Sequence, residues 1–169
     1  MPLSFKVRSA VGREPRLSTR TAILAITAIA LTCSTAAFAQ NEDKVKAGLA
    51  AWRNSGCADC HGAFANGEKE RDESPTGADL RRARLSAAEI KLAIRCGRPG
   101  TGMPSFEEGA PGCPGGGGDL YPAPVNLTAD QIDDVVAYLQ ARIIGKGKIT
   151  KQECLLYYTE KPDWCDDYN

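Results

Sequence analysis

The stretch that most limits what this chain can become is GCADCHGAF, Gly56 to Phe64. It sets Cys57 and Cys60 three positions apart and puts His61 directly after the second. His61 is the only histidine in 169 residues. The rest of the chain has to be organised around whatever these two thiols and this imidazole hold.

Residues 1–39 read as a segment outside the fold. Lys6, Arg8, Arg13, Arg16 and Arg20 make a basic start, relieved only by Glu14. The apolar run TAILAITAIALTCSTAAFA then closes on Ala37-Phe38-Ala39, a small-x-small pattern before Gln40. This is the pattern of a cleavable secretory signal peptide. The run falls short of the ~20 strongly apolar residues that a membrane helix needs, and Thr and Ser dilute it. No membrane span is therefore expected after cleavage. Cys33 follows Leu31-Thr32, without the small neighbour of a lipoprotein site, and leaves with the signal. Of the 21 basic and 21 acidic residues, this segment carries five and one, which leaves 16 against 20, a net charge of −4. A mildly acidic surface excludes a nucleic-acid partner, which needs concentrated positive charge.

Four segments carry helical patterns, and none reads as a strand. EDKVKAGLAAWRNSG places Val45, Leu49 and Trp52 on one face, with Gly56 as its stop. LSAAEIKLAIRCG opens with Ser86 and Glu89 in a capping box, repeats Ile90, Ala93 and Ile94 at helical spacing, and ends at Gly97. LTADQIDDVVAYLQARIIGKG repeats the box with Thr128 and Gln131, and Ile132, Val135, Val136, Leu139 and Ile143 form an apolar stripe up to Gly145. ITKQECLLYYTEKP has a third box, Thr150 and Glu153, and closes at Pro162. Two irregular stretches separate the first three segments. The longer, from Gly97 to Asn126, is too rich in Gly and Pro for helix or ladder.

Three chemistries compete for Cys57, Cys60 and His61. Zinc takes four N or S ligands, commonly as two separated pairs, and there is no second pair. A dithiol redox site sits near a βαβ pattern, which is missing, and leaves the histidine idle. Covalent haem c uses every residue. Two thiols add to the two vinyl groups of one haem, and the next residue offers its imidazole to the iron. With one histidine, a second axial ligand has to be another residue. Beyond the initiator the only methionine is Met103, in GTGMPSF, on an irregular Gly- and Pro-rich loop rather than an apolar helical face. Met103 is the expected distal ligand, and a His/Met pair raises the reduction potential.

With these residues in view, the chain resembles class I cytochromes c over roughly Asp43 to Gly145. The likeness rests on Gly48 and Trp52 in a first helix, then CADCH, a Pro-x-Gly loop, GMP and a final VVAYL helix. The resemblance implies an all-α class I cytochrome c fold, helices and irregular loops wrapped around one covalent haem. It implies that the first and last helices cross where Gly48 meets Tyr138. It also implies a proline carbonyl holding the proximal histidine, a role that falls to Pro75. Four extra cysteines and the tail beyond Gly145 resemble a narrower group, periplasmic cytochromes associated with methanol metabolism and PQQ-dependent alcohol dehydrogenases. That likeness implies a periplasmic single-haem electron carrier rather than an enzyme. Its expected donor is a PQQ-dependent dehydrogenase, and its expected acceptor is a cytochrome or oxidase of the respiratory chain. The alternatives are a general respiratory cytochrome c serving another oxidoreductase, or a haem peroxidase or gas sensor, which would need an open sixth position.

Cys96, Cys113, Cys154 and Cys165 allow three pairings. Cys96–Cys113 and Cys154–Cys165 are expected because both close short segments, and the first would clamp the loop that carries Met103. A closed loop of this size is worth ~3 kcal/mol in the chain-entropy picture. Arg81, Arg82, Arg84, Lys91, Arg95 and Arg98 form a basic stretch that reads either as a solvated face or, at Arg98, as a partner for haem propionates. The expected organisation is a signal peptide over 1–39, a cytochrome domain over 40–147, and a C-terminal helical extension over 148–169 packed on that domain.

Overall fold

A computed structural model describes residues 41–109, 111–113 and 122–168. The expected signal segment lies outside them. Helix α1 runs over 41–54 and stops at Gly56, whose φ of 76° is left-handed. Helix α2, Cys57–His61, follows at once and carries the cysteine–histidine motif. A 3₁₀ turn, Leu80–Arg82, precedes α3, Ala87–Cys96. Helix α4, Ala129–Tyr138, continues as a wider π turn over Leu139–Ile143. Helix α5, Lys151–Tyr157, and a 3₁₀ turn, Asp163–Asp167, complete the chain. Among the described residues there is no strand, and no helix is long and apolar enough to cross a membrane.

All three sequence-read capping boxes form. Ser86, Thr128 and Thr150 each accept a backbone N–H from the third helical residue, whose Glu or Gln side chain reaches back. Each cap satisfies two otherwise orphaned donors. The apolar stripes point inward as read. Val45 and Trp52 of α1, Ile90 and Ile94 of α3, and Ile132, Val135, Val136 and Tyr138 of α4 share one core. Ile132 and Val135 are almost fully buried, and each contributes roughly 1.5–3 kcal/mol by leaving water.

The crossing of α1 and α4 is set by Gly48. A Cβ there would stand 1.9 Å from the Asp134 carbonyl oxygen and 2.7 Å from Tyr138 Cβ. Only glycine lets the two backbones approach so closely, and Tyr138 is the residue it meets, as the resemblance implied. Trp52 completes the crossing with its ring 6.2 Å from that of Tyr138.

Both expected disulfides form, Cys96–Cys113 and Cys154–Cys165, with Cα separations of 5.3 and 5.5 Å. The second joins α5 to the final 3₁₀ turn, and both of its cysteines are fully buried. Around it Phe64, Tyr157, Tyr158, Trp164 and Tyr168 pack their rings at tilted or edge-on angles. Phe64 lies three residues past His61, so the segment beyond 148 rests directly against the stretch that follows the motif.

Candidate functional site

The site is built on α2. Left-handed Gly56 turns the chain between α1 and α2, so Cys57, Cys60 and His61 fall on one short helix. Cys57 and Cys60 are the free cysteines of the described chain, because the other four are bonded in pairs. Burial pushes the Cys57 thiol up to about 12, with Cys60 and Asp59 adding to the rise against an opposing backbone hydrogen bond. The Cys60 thiol is also raised, first by burial and then by Asp59. A thiol held protonated is a weak nucleophile.

His61 is fixed on its Nδ1 side. That nitrogen donates to the carbonyl oxygen of Ala78 at 2.9 Å. The neighbouring Gly77 makes the approach possible, since a Cβ there would lie 2.6 Å from His61 Nδ1. The Gly77 N–H in turn donates to the Cys60 carbonyl at 2.8 Å, which locks this loop to α2. The Trp52 ring lies 5.9 Å from the imidazole on another side. Burial lowers the imidazole pKa, the Ala78 bond works against that, and the Arg98 charge lowers it further. A neutral ring, anchored through Nδ1, keeps Nε2 as the nitrogen for a metal.

The acceptor is a correction to the reading of Pro75. The carbonyl that holds His61 belongs to Ala78, not to Pro75. The loop comes closest to the ring at Gly77, where the missing side chain leaves room, and the next carbonyl is the one aimed at Nδ1.

Met103 sits on a loop folded back against the end of α3. The Arg98 N–H donates to the Met103 carbonyl at 3.1 Å, and the Met103 N–H donates to Thr101 Oγ1 at 3.2 Å. Gly97 permits this, because a Cβ there would meet the Met103 carbonyl oxygen at 2.6 Å. Further along, the Ser105 hydroxyl donates to the Arg95 carbonyl at 2.6 Å and the Phe106 N–H to the Ile94 carbonyl at 3.0 Å. Arg95 pairs with Glu107 at 2.7 Å. With the Cys96–Cys113 bond added, the loop is fastened on both sides of Met103. The Met103 side chain packs against the core that also holds Trp52 and Phe64.

The basic stretch does not form one face. Arg82 pairs with Asp79, Lys91 with Asp133 and Arg95 with Glu107. Arg81 is buried, 3% exposed, and its guanidinium is consumed inside the fold. It donates to the carbonyls of Phe64, Gly147 and Lys148 and to both carboxylate oxygens of Glu153. Arg98 remains exposed, its backbone N–H bonded to the Met103 carbonyl, and is close enough to act on His61. Sequence reasoning missed the buried role of Arg81, Gly77 as the clearance for the ring, and the Ala78 carbonyl.

These residues fit a covalently held haem. Two thiols free of disulfides and one imidazole presented through Nε2 are the donors that covalent attachment needs, and Met103 adds a candidate sulfur donor on a fastened loop. The indole N–H of Trp52, whose ring lies beside that of His61, is buried with no partner among the described residues. A family model described as Cytochrome c matches residues 45–142. No curated protein and no solved structure matches the chain.

Proposed function

The chain belongs to the cytochrome c family, with the all-α class I fold and covalently attached haem c of an electron carrier, and on that premise we propose that it is a periplasmic carrier for alcohol oxidation. In this reading Cys57 and Cys60 form the two thioethers, His61 is the proximal ligand and Met103 the distal one. Arg98 would supply positive charge to the propionates. The donor is a PQQ-dependent alcohol dehydrogenase of the methanol-oxidising kind, and the acceptor is a respiratory cytochrome or oxidase.

Bound haem supplies the one-electron chemistry. The residues of the chain do the rest. The Ala78 carbonyl fixes the imidazole and raises its basicity as a ligand, the logic by which outer partners tune a metal. In this reading the fastened 98–107 segment limits how far the weak Met103 thioether could retreat from the iron. The observation that carries the reading is the hydrogen bond from His61 Nδ1 to Ala78 at 2.9 Å, which leaves Nε2 as the ring's remaining nitrogen. Acid–acetone treatment of the denatured holoprotein tests the attachment. The pigment is expected to stay with the polypeptide, and its extraction would refute thioether bonding at Cys57 and Cys60. Reduction by a purified PQQ-dependent methanol dehydrogenase tests the donor.

A further inference from the structure

The segment beyond residue 148 is fixed to the domain more firmly than a tail needs to be. The Cys154–Cys165 bond is fully buried, and Arg81 ties Gly147, Lys148 and Glu153 to the Phe64 carbonyl. Yet this well-fastened element shows a large aromatic side chain to solvent. Trp164, next to Cys165, is 43% exposed. Its ring packs edge-on against Tyr158 at 4.7 Å, and Tyr158 packs in the same way against Phe64 at 5.9 Å. The indole is therefore held rigidly on an underlying layer of rings.

The exposed charges nearest it in the chain are mostly acidic. Glu160, Asp163, Asp166 and Asp167 are all exposed, against one basic neighbour, Lys161. Lys151 takes up Asp166 at 2.7 Å, while Glu160, Asp163 and Asp167 form no ion pair among the described residues. An exposed, pre-ordered tryptophan inside a charged rim has the anatomy of an interface anchor. Aromatic residues at the centre carry most of the affinity, and the rim charges steer the encounter.

We infer that Trp164 and its acidic rim form a docking surface for a redox protein that offers an apolar recess bordered by lysine or arginine. The identity of that partner rests on the electron-carrier reading, and the surface orients it relative to the haem site that Phe64 adjoins. Negative charge on this face disfavours an anionic membrane, and it disfavours a second copy in a two-fold contact that would set the acidic patch against itself.

The test uses the holoprotein, Trp164→Ala and Asp163→Asn/Asp167→Asn. Two probes are used: a purified PQQ-dependent methanol dehydrogenase and a lysine-rich mitochondrial-type cytochrome c. The alanine variant should slow bimolecular electron transfer with the dehydrogenase about tenfold. The double asparagine variant should flatten the ionic-strength dependence with both probes. Reduction by ascorbate and the helical circular dichroism should not change. If wild type is not reduced by the dehydrogenase, the donor reading falls, and the docking surface is judged on the basic cytochrome alone. There, an unaltered salt dependence in the double variant overturns it. It is also overturned if the variants match wild type with every probe, or if ascorbate reduction slows equally. Sedimentation showing a dimer of the chain that Trp164→Ala dissolves would assign the surface to a second copy and overturn the proposal as well.

Discussion

At Gly77 a single methyl group decides whether His61 keeps its orientation. A Cβ there falls 2.6 Å from Nδ1 and 2.9 Å from the Cys60 carbonyl oxygen, both held by bonds of their own. Gly77→Ala should push the loop off the ring and break the bond to Ala78. The expected result is a holoprotein with a shifted reduction potential and earlier loss of the proximal ligand on heating. An unchanged potential and unchanged thermal curve would mean that the loop relaxes freely. Met103→Ala tests the opposite side. It should leave haem attached, remove the sulfur-to-iron charge-transfer band, lower the potential and let carbon monoxide bind readily. Retention of the band would name another ligand. The candidate cysteines, histidine and methionine stand out in the sequence because each is the patterned example of its type, the only one, or, for Met103, the only one beyond the initiator. The Ala78 carbonyl was not, because which carbonyl meets the ring depends on how an irregular loop closes. Pro75 was the nearest sequence signal to it, and Gly77 two positions on was the more telling residue.

Among the elements, the helices with boxes and stripes were legible, and the short ones were not. Cap chemistry and apolar spacing are local, so Ser86, Thr128 and Thr150 announce α3, α4 and α5 without help from the rest of the chain. Helix α2 and the 3₁₀ turns are too short for any periodicity and exist because neighbours hold them. The loop between α3 and α4 was read as clamped by Cys96–Cys113, and the bond is there. The hydrogen bonds from Arg98, Ser105 and Phe106 and the Arg95–Glu107 pair share the task. Cys96→Ser/Cys113→Ser should therefore bring forward the thermal loss of the sulfur band while helical circular dichroism persists. Adding Ser105→Ala to that double variant should advance the loss again, by the ~1 kcal/mol that one hydrogen bond contributes. Coincident loss of band and helix in the double variant would show that the bond serves the whole fold and not the loop.

At the scale of the molecule, one buried arginine joins what the sequence presented as separate pieces. The chain shows a basic run and, far along it, a capped helix, and nothing local says that Arg81 meets Glu153. The guanidinium sits where three carbonyls and a carboxylate converge from both sides of the junction. Glu153 serves twice. Its Oε2 accepts the Thr150 N–H at 2.8 Å to cap α5, and its carboxylate meets Arg81 at 3.0 Å. Removing Arg81 leaves buried acceptors without donors, so Arg81→Met should cost ~3–5 kcal/mol, the range for breaking a buried pair from one side. Glu153→Gln leaves the buried guanidinium without its counter-charge and turns one acceptor oxygen into a donor, so it should cost a similar ~3–5 kcal/mol. Urea unfolding of the holoproteins gives both values. Hydrogen exchange locates the damage: amides of α5 should lose protection first in Arg81→Met, followed by those near Phe64, while α3 and α4 hold. The extension would then be a unit whose stability depends on the domain through Arg81. Equal urea midpoints for Arg81→Met and the parent would contradict this, and the aromatic packing on Phe64 would have to hold the extension by itself.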